Sequence, residues 1–156
     1  MITFIRLFIF YASIFVLSAQ SSDEIISVRD LYFKADQSYN AIIKLKKLAN
    51  IYTSENDLML GYISAAHMLE AKHITNPINK YQHFIEGKEQ LEKIILRNKR
   101  SIELRFLRYT LQIGSPSFLN YNSEIIPDKA FIKSNLEMIN DVDLKKRIIL
   151  FLANYS

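Results

Sequence analysis

The chain has 156 residues, 49% of them apolar and 23% charged, with a formal net charge of +4. That is the balance of one folded domain and not of a disordered tail. Cysteine and tryptophan are absent, and glycine and proline occur three times each, which excludes disulfides, thiolate chemistry and cysteine-ligated zinc and leaves no glycine-rich phosphate loop or turn-dense β-sandwich to expect.

Chain order begins with an address. Met1-Ile2-Thr3-Phe4-Ile5-Arg6 leads into an uncharged run from Leu7 to Leu17, then Ser18-Ala19-Gln20. One positive charge, a short apolar run and small residues at its end describe a secretory signal peptide. Residues 1–19 are therefore expected to be removed after Ser18 or Ala19, and the protein to be exported, periplasmic or secreted. The alternative is a retained anchor, since the segment approaches the length of a spanning helix. Membrane contact is expected only through this segment while it is uncleaved. Removal leaves 19 basic and 16 acidic residues, a charge of about +3. Arg97-Asn98-Lys99-Arg100 and Lys145-Lys146-Arg147 are the densest basic pieces, too short for the broad stripe of a nucleic-acid reader.

The rest reads as helices. Ser22-Asp23-Glu24 supplies a cap and early negative charge for a helix over about 23–36. A second, about 37–53, places Ile42, Leu45, Ala49 and Tyr52 on one stripe, and the two could be one helix bent near Asp36. After the linker Thr53-Ser54-Glu55-Asn56, a third runs from about Asp57 to Ile74 with Leu58, Tyr62, Ala65, Ala66 and Leu69 at core spacing. Asn76-Pro77 ends it. A fourth, about 78–98, carries Tyr81, Phe84, Ile85, Leu91, Ile94 and Ile95 on its apolar face, and a fifth, about 101–113, stops at Gly114. A short turn follows Pro116. Pro127 opens a sixth helix to about Asn140, and Asp141 caps a seventh with Leu144, Ile148, Phe151, Leu152 and Tyr155 in one stripe.

No long polar linker divides the chain, so residues 20–156 read as one all-α domain of antiparallel helical hairpins. Gly61 and Gly87 fall inside predicted helices, where glycine costs about 1 kcal/mol against alanine and so marks close helix crossings. Such packing is similar to tetratricopeptide-type hairpins. Leu60-Gly61 fits that pattern, whereas the aromatic, alanine and proline positions downstream do not, so a TPR-like array and an irregular bundle both stay open.

Three groups of side chains are candidates for chemistry. Glu70-x-x-His73 has the spacing of half a carboxylate-bridged di-iron motif, but no second copy exists, His67 lies on a different face from His73, and His83 has no evident partner. Solvated or half-buried histidines are the reading adopted; no metal and no cofactor are expected. On the fifth helix Arg105, Arg108 and Gln112 form one polar stripe on an otherwise apolar element. With Tyr62, Tyr109 and Tyr121 they are expected to line a groove for an anionic or peptide ligand, arginine suiting carboxylates and tyrosine suiting interfaces; the plain alternative is the helix's solvated side. Glu103 falls about 160° around the helix from Arg105, in the apolar arc. It is expected to be a structural buried acid in an ion pair, with Lys72, His73 or Lys80 as its cation; the alternative is an acid of raised pKa in a pocket. Catalytic signatures, among them Gly-x-Ser-x-Gly and His-Glu-x-x-His, are missing.

Several phrases carry a resemblance. Gly61-Tyr62-Ile63-Ser64-Ala65-Ala66, Asn76-Pro77-Ile78-Asn79-Lys80, Phe84-Ile85-Glu86-Gly87, Glu103-Leu104-Arg105-Phe106-Leu107-Arg108, and Pro116-Ser117-Phe118-Leu119-Asn120-Tyr121 with Asp128-Lys129 resemble a group of small, signal-bearing, uncharacterised helical proteins of Bacteroidota-type bacteria. The likeness covers about residues 57–132 and implies export and a helical fold, with no activity attached. The function expected is an interaction module that binds a protein or peptide. The alternative is a small hydrolase or metal-dependent enzyme using Glu103 or the Glu70/His73 pair; a structural envelope component is a third.

Overall fold

Most of the helices begin on a side chain that accepts their first free backbone N–H groups. Ser38 accepts from Ala41, Asn56 from Leu58 and Met59, Asn76 from Ile78 and Asn79, Ser101 from Leu104, and Asp141 from Leu144. Each such cap is worth about 1 kcal/mol. The computed structural model describes residues 23–52 and 56–155. It shows α1 (23–35), α2 (Tyr39–Asn50), α3 (Asp57–Glu70), α4 (Pro77–Arg97), α5 (Ile102–Gly114), α6 (Ile125–Asn135) and α7 (Val142–Asn154). Short 3₁₀ turns follow α3 (Ala71–His73), lie between α5 and α6 (Ser117–Leu119) and follow α6 (Leu136–Met138). Among the described residues there is no strand, and the fold is an all-α helical bundle. The signal segment, Ser22 as a cap, and linker residues 53–55 lie outside the described residues. Among those described, no helix is long and apolar enough to cross a membrane.

The elements differ from expectation at their ends. α1 and α2 are separate helices, because the turn at Asp36-Gln37 hands over to the Ser38 cap. α6 starts at Ile125, two residues ahead of Pro127, and gives way at Leu136 to the 3₁₀ turn. Proline still sits in the first turn, where its missing N–H costs nothing.

α3 packs most extensively against α4 and α2, and α5 against α6. Two apolar clusters result. The larger joins Val28, Ile42, Leu45, Ala65, Leu91, Leu104 and Leu107 across α1 to α5; the smaller joins Phe106, Tyr109, Ile132, Ile148 and Leu152 across α5 to α7. α5 contributes to both and is the central helix its apolar sequence announces. The α3–α4 crossing is tight at Gly87, where a Cβ would stand 2.8 Å from the Ser64 carbonyl oxygen and 2.7 Å from Met68 Cγ. Gly61 faces α5, with Leu104 Cδ2 2.5 Å from where its Cβ would be. Tyr81 and Tyr155, expected in apolar stripes of the core, are 54% and 51% exposed; both stand at the edge of a cleft.

Candidate functional site

α5 carries opposite charges on different sides, and each charge finds its counter-ions on other helices. Glu103 lies in the first turn of α5, Asp141 caps α7 and Asp143 lies in its first turn. Carboxylates are favoured at such helix N-termini, and all three converge on Arg29 of α1. Arg29 donates through Nε to Glu103 Oε1 at 2.7 Å and through Nη2 to Oε2 at 2.8 Å, a bidentate pair. It also donates to Asp141 at 2.8 Å and to Asp143 at 3.0 Å. Tyr62 donates to Glu103 Oε1 at 2.8 Å. Burial works against the Arg29 charge, but its hydrogen bonds to Glu103 and Asp141 outweigh it and hold the guanidinium above its ordinary value. Burial first, and the Glu103 charge next, push the Tyr62 hydroxyl far up, so it stays a donor. Glu103 is thus a buried, ion-paired acid. Its cation is Arg29, and none of Lys72, His73 and Lys80: Lys72 pairs with Asp36, His73 packs on the Tyr39 ring, and Lys80 lines the cleft described below.

The Arg105, Arg108 and Gln112 stripe lies under α6 and against α4. Arg108 holds Asp128 with two hydrogen bonds, Nε to Oδ2 at 2.7 Å and Nη2 to Oδ1 at 2.8 Å, and reaches Glu92 at 2.7 Å. Asp128 is fully buried and Arg108 6% exposed. Tyr121 donates to the other Glu92 oxygen at 2.7 Å. Arg105 bonds to Asp128 at 3.3 Å and lies 4.1 Å over the Phe131 ring. Tyr109 is buried in the smaller cluster. The six residues Tyr62, Arg105, Arg108, Tyr109, Gln112 and Tyr121 therefore do not line an open groove, because the stripe on α5 is covered by α6 and its charges are spent on Asp128 and Glu92. Gln112 is 3% exposed, and both atoms of its amide lack a hydrogen-bond partner among the described residues.

The open concavity lies elsewhere. A cleft of about 850 Å³ runs between the ends of α1, α3, α5 and α7 and the start of α4. Its walls are mainly apolar and aromatic: Tyr32, Phe33, Met68, Phe84, Leu111 and Phe151 inside, with Tyr81, Phe118 and Tyr155 at the edge. Inside, Tyr32 and Thr110 share a hydrogen bond of 2.7 Å. Lys72, Asp36 and Lys80 are its charged residues, the first two paired with each other and Lys80 in no ion pair among the described residues. Helix ends build this cleft, and a periodicity argument, which reads helix middles, does not find it. The exposed aromatics at predicted termini (Tyr81, Phe118, Tyr155) were the available signal.

A second polar cluster joins α3 to α4. His83 Nε2 is 3.0 Å from Glu70 Oε2, the His67 and His83 rings stack at 3.5 Å, and Lys46 of α2 donates to Glu70 Oε2 at 2.6 Å. The partner of Glu70 is thus His83, not His73. Burial, reinforced by His83 and Lys46, holds the His67 imidazole below its ordinary value. For Glu70, burial alone acts upward, but hydrogen bonds from Lys46 and His83 prevail and keep the carboxyl below its ordinary range.

No protein-family model matches the chain, and neither a curated protein nor a solved structure is significantly similar to it.

Proposed function

We propose that the protein is an exported binding module that seats an apolar, acid-bearing peptide segment in the cleft between the helix ends. The observation that carries this reading is the cleft itself: about 850 Å³ of largely apolar, aromatic-walled space, within the range of ligand sites. Rigid aromatic side chains give large contact areas at small entropic cost, which is why they anchor peptide interfaces. Phe118 and Tyr81 stand 77% and 54% exposed at the edge, each placed to cover an inserted side chain. Lys80 supplies a positive charge beside them, which favours a carboxylate on the ligand. Export rests on residues 1–19, whose pattern of one arginine, an apolar run and small residues is that of a signal peptide.

Selection of peptides from a random display library on the purified domain, followed by fluorescence anisotropy of the enriched sequences, tests the proposal. Enriched peptides should combine aromatic or aliphatic anchors with an acidic residue. Phe118→Ser and Tyr81→Ser should each weaken them by about tenfold, the loss of roughly 1.4 kcal/mol of contact, and Lys80→Glu should do the same for the acidic ones. Ile126→Ser, on the α6 surface at 79% exposure, should leave binding unchanged. Equal binding to all four variants, or no enrichment, overturns the reading.

A further inference from the structure

We propose that His67, Glu70 and His83, completed by Glu86, form a binding site for one divalent transition-metal ion of the zinc class. The sequence places the same short pattern on each of two neighbouring helices. On α3 it is His67-x-x-Glu70 and on α4 it is His83-x-x-Glu86. Residues three apart lie on one face of a helix. Because the link between α3 and α4 is short and turns the chain back, the two patterns meet crosswise, each histidine beside the glutamate of the other helix. His83 Nε2 is 3.0 Å from Glu70 Oε2, and His67 Nε2 is 3.6 Å from Glu86 Oε2.

Donor atoms of His67, Glu70 and His83 all lie within 4.8 Å of one another. Ligands at about 2.0–2.1 Å around a tetrahedral ion stand about 3.3 Å apart, so the donors need to close by under about 1.5 Å, the scale of side-chain rotation. Two imidazoles and carboxylate oxygens are the donor set that suits zinc and its late first-row neighbours. His67 Nε2 is buried and has no hydrogen-bond partner among the described residues, a state that leaves a strong acceptor or donor without use in a half-buried place. Glu86 is largely exposed at 64%, free to swing onto the ion as the fourth ligand or to leave that position to water.

The backbone positions this cluster. Gly87 follows Glu86 directly, and α4 approaches α3 closely there, a Cβ at that position meeting Ser64 O at 2.8 Å and Met68 N at 3.0 Å. Met68 is the residue after His67. A close approach of the two helices therefore falls beside the two facing histidines, whose rings on different helices stand 3.5 Å apart. One charge and one neutral donor face the cluster from α2: Lys46 donates to Glu70 Oε2 at 2.6 Å, and the Tyr39 hydroxyl donates to Oε1 at 3.4 Å. The Lys46 ammonium holds the position a metal ion would take on Glu70, so ion binding displaces it and lysine and metal compete for one carboxylate. Bound there, the ion clamps α3 to α4 and relieves the stacked imidazoles of their mutual contact.

Isothermal titration of chelator-treated protein with Zn²⁺ tests the site, with the visible bands of Co²⁺ as a report on tetrahedral nitrogen–oxygen ligation. One ion per chain is expected. His67→Ala and His83→Ala should each weaken binding by at least about 100-fold, the upper end of what loss of a mere supporting group costs, and the milder Glu70→Gln by at least about tenfold. His73→Ala, one turn from Glu70 but outside the cluster, should change affinity less than about twofold. Lys46→Met should tighten it by on the order of tenfold, since a like charge at hydrogen-bonding distance from a ligand is removed. Zn²⁺ at a hundred times its Kd should raise the thermal midpoint of the wild type by roughly 5–10 °C and that of His67→Ala not at all. Absence of saturable binding, or equal weakening by His73→Ala and His67→Ala, overturns the proposal. Circular dichroism of each variant separates loss of ligand from loss of fold.

Discussion

Glu103→Gln is the most informative single substitution, because it removes a charge and keeps the shape. The wild-type carboxylate receives both prongs of the Arg29 guanidinium, at 2.7 and 2.8 Å, and the Tyr62 hydroxyl at 2.8 Å. A glutamine offers one oxygen in place of two, so either its amide N–H₂ faces a guanidinium N–H or one Arg29 donor loses its partner. Arg29 is 2% exposed and cannot turn to water. Breaking a buried pair from one side costs about 3–5 kcal/mol. Asp141 and Asp143 still hold the other edges of Arg29, although their side chains are 41% and 25% exposed, so the low end applies. About 3 kcal/mol lowers a urea midpoint by roughly 1.5 M at a slope of about 2 kcal/mol/M. Equilibrium unfolding at pH 7, followed by helical circular dichroism, gives the number. The double variant Arg29→Met, Glu103→Gln should recover a large part of the loss, since the uncompensated charge is then gone. A cost under about 1 kcal/mol for Glu103→Gln, or a double variant worse than the sum of both singles, refutes the reasoning.

Other expectations follow from the same geometry. Burial acts upward on Asp141, but hydrogen bonds from Arg29 and the Leu144 N–H prevail and depress its pKa, and hydrogen bonds from Arg147 and then Arg29 depress that of Asp143. Depressed carboxylates stabilise the fold above the ordinary aspartate range and lose that contribution as pH falls through their folded values, so stability should drop below about pH 4; urea midpoints of Arg29→Met should decline less steeply there than those of the wild type. Gly87→Ala should cost about 1–3 kcal/mol because its Cβ meets backbone, whereas Gly61→Ala, which crowds the end of Leu104 and otherwise makes ordinary contacts with Leu107 and Leu91, should stay within about 1 kcal/mol of the parent after its gain in helix propensity; thermal unfolding of the pair checks this. Gln112→Met should stabilise by about 1 kcal/mol, as it replaces two buried amide atoms that have no partner among the described residues with a side chain of similar length; a loss of stability would mean that the amide is satisfied. Charge reversal at Arg108 should unfold the protein, which the loss of the α-helical signal would register, because fully buried Asp128 would face a like charge.

Helix order, the cap at Asp141 and the central place of α5 are legible in the sequence because each depends on local spacing or on one residue's backbone chemistry. So is the burial of Glu103, which follows from its angle on an apolar helix. Its partner is not. Arg29 is 74 residues away, in a helix whose orientation only the packed bundle determines, and the nearer cations Lys72, His73 and Lys80 have no claim beyond proximity in sequence. The Arg105–Arg108–Gln112 stripe misleads for a related reason: polar residues on an apolar helix are solvated on an outer helix, but on a helix covered by neighbours they must meet acids. Asp128, in the first turn of α6, and Glu92, at mid-helix on α4, were those acids. The histidines show the same limit, since Glu70-x-x-His73 satisfies the rule for one helix while the neighbour that reaches Glu70 is His83 on the next.

Why a bundle this small buries two arginines follows from where each one acts. Buried ion pairs are seldom more stabilising than apolar residues of the same size, so their net contribution to stability does not account for them. Arg29 joins α1 to the N-termini of α5 and α7, and Arg108 joins α5 to α4 and α6. Apolar contacts tolerate sliding by a fraction of a turn; a bidentate guanidinium–carboxylate pair does not, because both hydrogen bonds fail together. Part of the cleft wall comes from α1 (Tyr32, Phe33), α5 (Thr110, Leu111) and α7 (Phe151), the three helices that Arg29 ties, and the rest from α3, α4 and the turn after α5. Arg29 thus sets the register of three of the elements whose ends form the cleft while keeping its own charge out of it. The charges of α5 are consumed in holding its neighbours, so under the proposed function recognition falls to the aromatic helix ends around the cleft.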